Sequence, residues 1–283
     1  MDLDVVFIGT AGSAPSARRA LPATLVRRGG DRLLFDCGEG TQRQLLRSIG
    51  LVELEEVFIT HFHADHWLGL PGMLKTFSLR GRERPLAVHG PPGLRRLFEA
   101  LRPVIGKTGY EVSLIELEPG VAVERDGYVV MPFPVEHGIV AFGYALVEPG
   151  QILGPPRRGR KIVLAGDTAP CEMTKAVAHG ADLLVHEATF ADEDAERAAE
   201  TMHSTALAVA HLAAEAEVSL LALTHVSPRY AGGELRDEGR AAFERTIVPH
   251  DFDRVEIPFP ERGEPVHLRA RERPVPAPEP AES

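Results

Sequence analysis

Between Phe58 and Gly69 the chain reads Phe-Ile-Thr-His-Phe-His-Ala-Asp-His-Trp-Leu-Gly, which concentrates three imidazoles (His61, His63, His66) and one carboxylate (Asp65) in six residues at the exit of an apolar run. Alternation along an extended segment sets His61 and His63 on one side, and the following turn swings Asp65 and His66 toward another. Imidazole and carboxylate donors without thiolate suit Zn2+, or Mn2+ where carboxylates dominate. Two such ions about 3.5–4 Å apart are the usual arrangement for phosphoester hydrolysis. One loop supplies too few donors for two ions, so further ligands are expected at other strand ends. Three positions fit: His137 in Val135-Glu-His-Gly138, Asp167 in Ala165-Gly-Asp-Thr168, and His225 in Thr224-His-Val226. Each taken singly reads as a turn residue; with the loop they complete a two-ion site.

Strand-like runs rich in Val, Ile, Leu and Phe recur at Leu3 to Ile8, Arg32 to Phe35, Glu56 to Thr60, Tyr128 to Val135, Lys161 to Ala165, Asp182 to Val185 and Ser219 to Thr224. Helical patterns alternate with them at Thr41 to Ile49, His66 to Leu79, Gly93 to Leu101, Cys171 to Ala178, Thr205 to Ala216 and Glu234 to Thr246. This alternation predicts an α/β fold, with an antiparallel meander in the stretch from Val112 to Val147, which is dense in short strands and Gly/Pro turns. No composition shift divides residues 1–269, which are expected to form one domain. Residues 270–283 are Pro-rich and poor in apolar side chains, the composition of a disordered tail.

With 31 Lys+Arg against 41 Asp+Glu, the net charge of −10 excludes a generally basic nucleic-acid coat. Cys37 and Cys171, far apart and in no CxxC pair, exclude a disulfide scaffold and a thiolate zinc knuckle, so a reducing cytoplasm is expected. The start, Met-Asp-Leu-Asp-Val-Val-Phe, enters a strand-like run with no basic leader, and no apolar stretch approaches about 18 residues. Secretion and membrane association are therefore not expected, and no motif points to a protein partner.

Further segments narrow the reading: Gly9-Thr10 with Pro15-Ser16 and Arg19, Asp36-Cys-Gly-Glu-Gly-Thr-Gln-Arg-Gln44, His186-Glu-Ala-Thr-Phe190, His203-Ser-Thr205 and Ser227-Pro-Arg-Tyr230. With the metal cluster, these resemble the metallo-β-lactamase-fold hydrolases and, more narrowly, ribonuclease Z, the endonuclease that removes 3′ trailers from precursor tRNA. The resemblance runs from about Leu3 to Pro258. It implies an αββα sandwich of two mixed sheets flanked by helices, and two Zn2+ per chain. One ion would be held by His61, His63 and His137, the other by Asp65, His66 and His225, with Asp167 bridging. Two Zn2+, two aspartates and one hydroxide leave a charge of about +1 to meet a phosphodiester, which agrees with that chemistry. By the same resemblance Asp65 also accepts the proton of the attacking water. His203 is the candidate acid for the leaving ribose 3′ oxygen, and Glu187 the group that orients and charges it. Asp36 is expected to accept a hydrogen bond from a ligand histidine. His89, His179, His186, His211, His250 and His267 match no ligand spacing.

RNA binding needs only one basic face. Arg18 with Arg19, and Arg80 with Arg82, are expected near the metal mouth, with RNA read through shape and backbone. Arg43, Arg47 and the run Arg157 to Lys161 read as solvated surface. The resemblance implies a homodimer with precursor tRNA as substrate. Many bacterial ribonuclease Z chains carry a long arm, between the ligand histidine and the bridging aspartate, that grips tRNA from the partner subunit. Here only 30 positions separate His137 from Asp167, so the arm is expected to be missing; either the basic stretch Arg157 to Lys161 and other surface arginines replace it, or the enzyme acts on other phosphodiesters. The alternative reading is a related phosphodiesterase acting on small or cyclic phosphodiesters or other RNA. A metal-binding RNA chaperone without turnover would be favoured by an incomplete ligand set, whereas here the set is complete together with the Glu187 and His203 pair.

Overall fold

The computed structural model describes residues 1–51, 54–150 and 157–270. The first half of the chain forms β1 (Leu3–Gly9), β2 (Ala23–Arg28), β3 (Asp31–Phe35), α1 (Thr41–Ser48), β4 (Glu56–Phe58), α2 (Ala64–Trp67), α3 (Gly69–Leu79), β5 (Leu86–Gly90), α4 (Leu94–Ile105) and β6 (Val112–Glu116). The second half forms β7 (Val123–Arg125), β8 (Tyr128–Pro134), β9 (Phe142–Val147), β10 (Lys161–Leu164), α5 (Glu172–Ala178), β11 (Leu183–Glu187), α6 (Ala195–Thr201), α7 (Ala206–Glu215), β12 (Leu221–Thr224), α8 (Gly233–Ala242), β13 (Thr246–Ile247), β14 (Arg254–Glu256) and β15 (Val266–Leu268).

Apolar runs in strands buried on both faces pair into two mixed sheets. One has the order β15-β14-β1-β2-β3-β4-β5-β6, the other β13-β12-β11-β10-β9-β8-β7. Strands β3 to β6 are parallel, as are β10 to β13. A cluster including Phe7, Phe35, Phe58, Tyr144, Leu164 and Leu183 fills the space between the sheets. Its aromatic centre is Phe35 stacked on Phe58 at 5.0 Å, with Tyr144 tilted against Phe35 and edge-on to Phe58. A second cluster lies between the first sheet and α1, α3 and α4, a third between the second sheet and α5, α7 and α8. The layers are helix, sheet, sheet, helix, the αββα sandwich of the α/β class. Among the described residues no helix is long and apolar enough to cross a membrane.

Several elements differ from the sequence-based expectation. The helix expected over His66 to Leu79 is broken into α2 and α3, where the Gly69 N–H donates to Cys37 O at 2.9 Å rather than into the helical ladder. The expected helix from Glu234 stops at Ala242, and Thr246 enters strand β13. Val112–Glu116 does not join the meander; it pairs parallel with β5 at the edge of the first sheet, and only β7 to β9 form the meander. Strands β2, β5, β14 and β15 and helix α6 were not anticipated. The expected tail, beyond Ala270, lies outside the described residues.

At the end of the sandwich away from the metal loop, Arg28 of β2 and Arg160 before β10 converge on Glu148. Arg28 Nε donates to Glu148 Oε1 at 2.7 Å and Arg160 Nε to Oε2 at 2.6 Å, and all three are buried. This triad joins the two sheets. Removing its one anion leaves two interior cations with backbone carbonyls but no counter-charge, so Glu148→Ala is expected to cost about 3–5 kcal/mol of stability in urea unfolding. A loss below about 1 kcal/mol would mean that both guanidinium groups regain water.

Candidate metal centre

The loop that carries the histidines is held from behind. Asp36 follows β3 with a left-handed backbone (φ 59°), and its Oδ1 accepts from Thr60 N at 2.8 Å. The Thr60 hydroxyl also donates to this carboxylate, and Asp36 Oδ2 receives His66 Nδ1 at 2.7 Å. Asp36 thus fixes the end of β4 and a ring of α2 together. Asp167 follows β10, and His225, also at positive φ (56°), follows β12. Successive parallel strands therefore deliver their polar groups to one end of the sandwich, the place where the ends of parallel strands leave room for a site.

The structure brings all seven expected ligand side chains together. Ligand atoms of His61, His63 and His137 lie within 4.8 Å of one another, as do those of Asp65, His66 and His225. Asp167 joins His61 and His66 in one group and His203 and His225 in another. Its Oδ2 is 3.2 Å from His225 Nε2, 3.3 Å from His66 Nε2 and 3.9 Å from His61 Nε2.

The donor set fits metal cations, and the tautomers show why. The Thr60 hydroxyl spends its proton on Asp36, so it accepts from His61 Nδ1 at 3.0 Å. By the same reasoning the Thr189 hydroxyl donates to Glu187 Oε2 and accepts from His225 Nδ1 at 2.8 Å. His66 Nδ1 donates to Asp36, and His137 Nδ1 to Met202 O at 3.3 Å. With each Nδ1 protonated, the Nε2 lone pairs of four rings face inward. Two of them meet His63 Nδ1 at 3.0 and 3.1 Å, and His66 Nε2 is buried without any hydrogen-bond partner. Lone pairs converging at this distance between carboxylates are stabilised by a cation.

The electrostatics agree. Burial, reinforced by His66, pushes His61 down to about 2, so it stays a neutral donor. Burial also pulls on His66, but Asp167 and Asp36 outweigh it and raise that ring well above the usual imidazole range, so its inward Nε2 draws positive charge, a proton or a metal cation in the proton's place. Asp167 is held well below the usual carboxylate range, because His225 and His66 outweigh the effect of burial. The pocket attracts positive charge.

Glu187, at the end of β11, is fully enclosed, and its carboxylate organises the far wall. Oε1 faces His203 Nδ1 at 2.6 Å and accepts from Thr168 N at 2.9 Å, while Oε2 accepts from the backbone of Thr189 and Ser204 at 3.2 and 3.1 Å. Burial pulls His203 down, yet Glu187 outweighs it and raises the ring above its ordinary value. The His203 ring stacks on His225 at 5.5 Å, which sets it at the edge of the metal cluster.

The basic residues are placed less uniformly. Arg18 is exposed. Arg19 is buried, where Nη1 donates to Thr10 Oγ1 and Pro249 O, both at 2.6 Å. Arg80 and Arg82 do not stand at the metal mouth. They follow the C-terminal end of α3, whose 11 residues put them about 16 Å from the loop at its start. Arg82 there donates to Leu54 O and Pro85 O. In the run expected as solvated surface, Arg157 pairs with Glu261 and stacks on Phe259, Arg158 pairs with Asp182, and Arg160 is buried on Glu148. Sequence reasoning missed Thr60, Thr189 and Met202 as supports of the ligands. Thr189 carried a signal, since it lies in the same short segment as Glu187; the Met202 carbonyl carried none.

A helix-sheet-sheet-helix sandwich with this His/Asp cluster at the strand ends defines the β-lactamase superfamily, whose domain model matches residues 31–226. Among curated relatives, ribonuclease Z of Methanosarcina acetivorans is 40% identical over 302 residues, covering 91% of this chain and 99% of the relative. That of Archaeoglobus fulgidus is 38% identical over 303 residues, covering 91% and 98%. The crystal structure of the short form of human tRNase Z is 31% identical with a TM-score of 0.77, covering 90% of this chain and all of that one. The chain belongs to the ribonuclease Z family. A metallo-β-lactamase-fold protein from Bacillus subtilis, 22% identical, shares the fold with a TM-score of 0.78 over 90% of this chain and 100% of its own.

Proposed function

We propose that this protein is an endoribonuclease that cuts precursor tRNA on the 3′ side of the mature end and leaves a tRNA 3′-hydroxyl. The observation that carries this reading is the Glu187–His203 pair beside the histidine and aspartate cluster, a proton donor set where a leaving ribose oxygen needs one, in a chain 40% identical to ribonuclease Z. His61, His63 and His137 would hold one divalent cation and Asp65, His66 and His225 a second, with Asp167 shared; as Zn2+, with Mn2+ the alternative, they supply Lewis acidity that neutralises phosphodiester charge and makes hydroxide available near neutral pH.

The remaining chemistry belongs to side chains. Asp65 accepts the proton of the attacking water. His203, protonated and held by Glu187, gives its proton to the ribose 3′ oxygen as the P–O3′ bond breaks. Asp36, Thr60 and Thr189 keep the ligand rings in the tautomer that turns Nε2 inward. We read residues 1–269 as one catalytic unit acting as a homodimer in the cytoplasm, a compartment that suits the two buried free thiols.

Gly12 gives a check on the ligand assignment that leaves every ligand in place. A Cβ there would lie 2.4 Å from His225 Nδ1 and 2.6 Å from His225 O. Gly12→Ala should displace that ring and lower metal affinity and activity about 10–100-fold with the fold retained. Metal content after dialysis, read beside circular dichroism, tests it; full metal content would remove His225 from the ligand set.

The function itself is tested by cleavage of a 5′-labelled precursor tRNA bearing a 3′ trailer, run beside a chromogenic phosphodiester. A single cut next to the discriminator base is the expected result. Hydrolysis of the small diester alone would move the function to the related phosphodiesterases.

A further inference from the structure

The alignment with the Methanosarcina protein spans 302 positions, whereas 91% of this chain is about 258 residues, so some 44 positions of the relative have no counterpart here. Between β9 and β10 only residues 148–160 remain, and the described cations among them are engaged: Arg157, Arg158 and Arg160 in ion pairs, Lys161 beside them on His179 O. Cations available for RNA must lie elsewhere.

They lie along α4. A cleft of about 680 Å3 opens between this helix and the edge strand β6, floored by Leu74, Phe98 and Leu114 and bordered by Arg95 and Arg102. The two arginines are seven residues apart, so they share one face of the helix about 10 Å from each other. Both are exposed, and among the described residues neither guanidinium has a hydrogen bond or ion pair. Two acids stand nearby. Glu116 is spent on the start of the helix, where it accepts from the backbone of Gly93 and Arg95 at 2.9 and 3.1 Å. Glu99 lines the cleft between the arginines, where its carboxylate repels a phosphate at the middle and leaves the two ends to the cations.

The helix also points the right way. A Cβ on Gly93, its N-terminal cap, would lie 3.6 Å from the ring of Phe62, the residue between His61 and His63. From there α4 runs away from the metal centre, and the cleft with it. Half-buried Phe98 offers a stacking face, the guanidinium groups offer phosphate contacts, and together these are the elements of sequence-tolerant single-strand binding.

We propose that the cleft between α4 and β6 binds single-stranded RNA, seating the trailer strand that continues beyond the scissile phosphodiester. Phe98 stacks under a base, and Arg95 and Arg102 hold flanking phosphates. This rests on the reading of the enzyme as a 3′-trailer endonuclease, and the test separates the two. Holoenzyme and the variants Phe98→Ala and Arg95→Ala/Arg102→Ala are compared in binding a labelled uridine oligomer, and in cleaving precursors with a long trailer and with a single-nucleotide trailer.

Each variant is expected to weaken oligomer binding by about tenfold or more. The double variant should also flatten the slope of log K against log salt by about 1.4, two phosphate contacts on a single strand. KM for the long-trailer precursor should rise about tenfold at unchanged kcat, with the single-nucleotide precursor unaffected. Unchanged oligomer binding, or equal losses on both precursors, overturns the proposal. A change of oligomeric state in sedimentation of the double variant also overturns it, because the cleft would then be a contact between subunits. If the wild type cuts neither precursor yet its oligomer binding still depends on Arg95, Arg102 and Phe98, the endonuclease reading fails and the cleft remains an RNA site.

Discussion

Asp65→Ala will abolish turnover, with a loss in the cleavage rate beyond about 10⁴-fold, because one side chain is asked both to hold a cation and to take a proton. Its Oδ2 lies 3.4 Å from His225 Nε2 and 3.6 Å from His66 Nε2, and it accepts the backbone N–H of Ser13 at 2.9 Å. Burial alone would raise its pKa, but the neighbouring His225 and His66 rings outweigh it, so the group is an anion at working pH. Asp65→Asn separates charge from shape: its amide oxygen can still accept from Ser13, yet it brings no negative charge to the cluster. Both variants should therefore lose metal and rate together. Single-turnover cleavage of labelled precursor, read beside metal content, decides it, and an Asp65→Asn enzyme within tenfold of wild type would remove Asp65 from both roles.

The residues of this site were legible because their chemistry is dense. Four ligand-type side chains in six residues have few other uses, and His137, Asp167 and His225 each sit just past an apolar run that pairs as β8, β10 or β12. Their supports were harder to see. Thr60 and Thr189 act through a single hydroxyl proton, and Met202 through a carbonyl any residue would offer, so residue type carried almost no signal. Basic residues were misplaced for a different reason. Arg82 read as a residue of the metal mouth and Arg160 as surface charge, but each is held by partners distant in sequence, Leu54 O for the one and Glu148 for the other. Arg95 and Arg102 show the reverse case, since helical periodicity places them together while only the packing of β6 beside α4 opens a cleft between them. Pairing of short strands such as β5 and β6 is set by neighbours in the sheet more than by their own composition.

His203→Ala is expected to slow cleavage of precursor tRNA by about 10²–10⁴-fold while leaving metal content unchanged, and that combination distinguishes two roles the geometry allows. The ring belongs to a group with Asp167 and His225 whose ligand atoms lie within 4.8 Å, which is ligand spacing. Its Nδ1, however, is bound to Glu187 Oε1 at 2.6 Å, and Glu187 is itself fixed by three backbone N–H groups and the Thr189 hydroxyl. A carboxylate so placed favours the protonated ring, the form that donates a proton and cannot ligate a cation. Glu187→Gln should therefore reproduce much of the loss by lowering the basicity of His203, again without loss of metal. Leaving-group chemistry supplies the decisive contrast. A ribose alkoxide needs the proton, whereas a nitrophenolate departs without it, so His203→Ala should retain near wild-type hydrolysis of a nitrophenyl phosphodiester. Equal losses on both substrates, or release of metal, would make His203 a ligand and leave the leaving oxygen to be protonated by solvent.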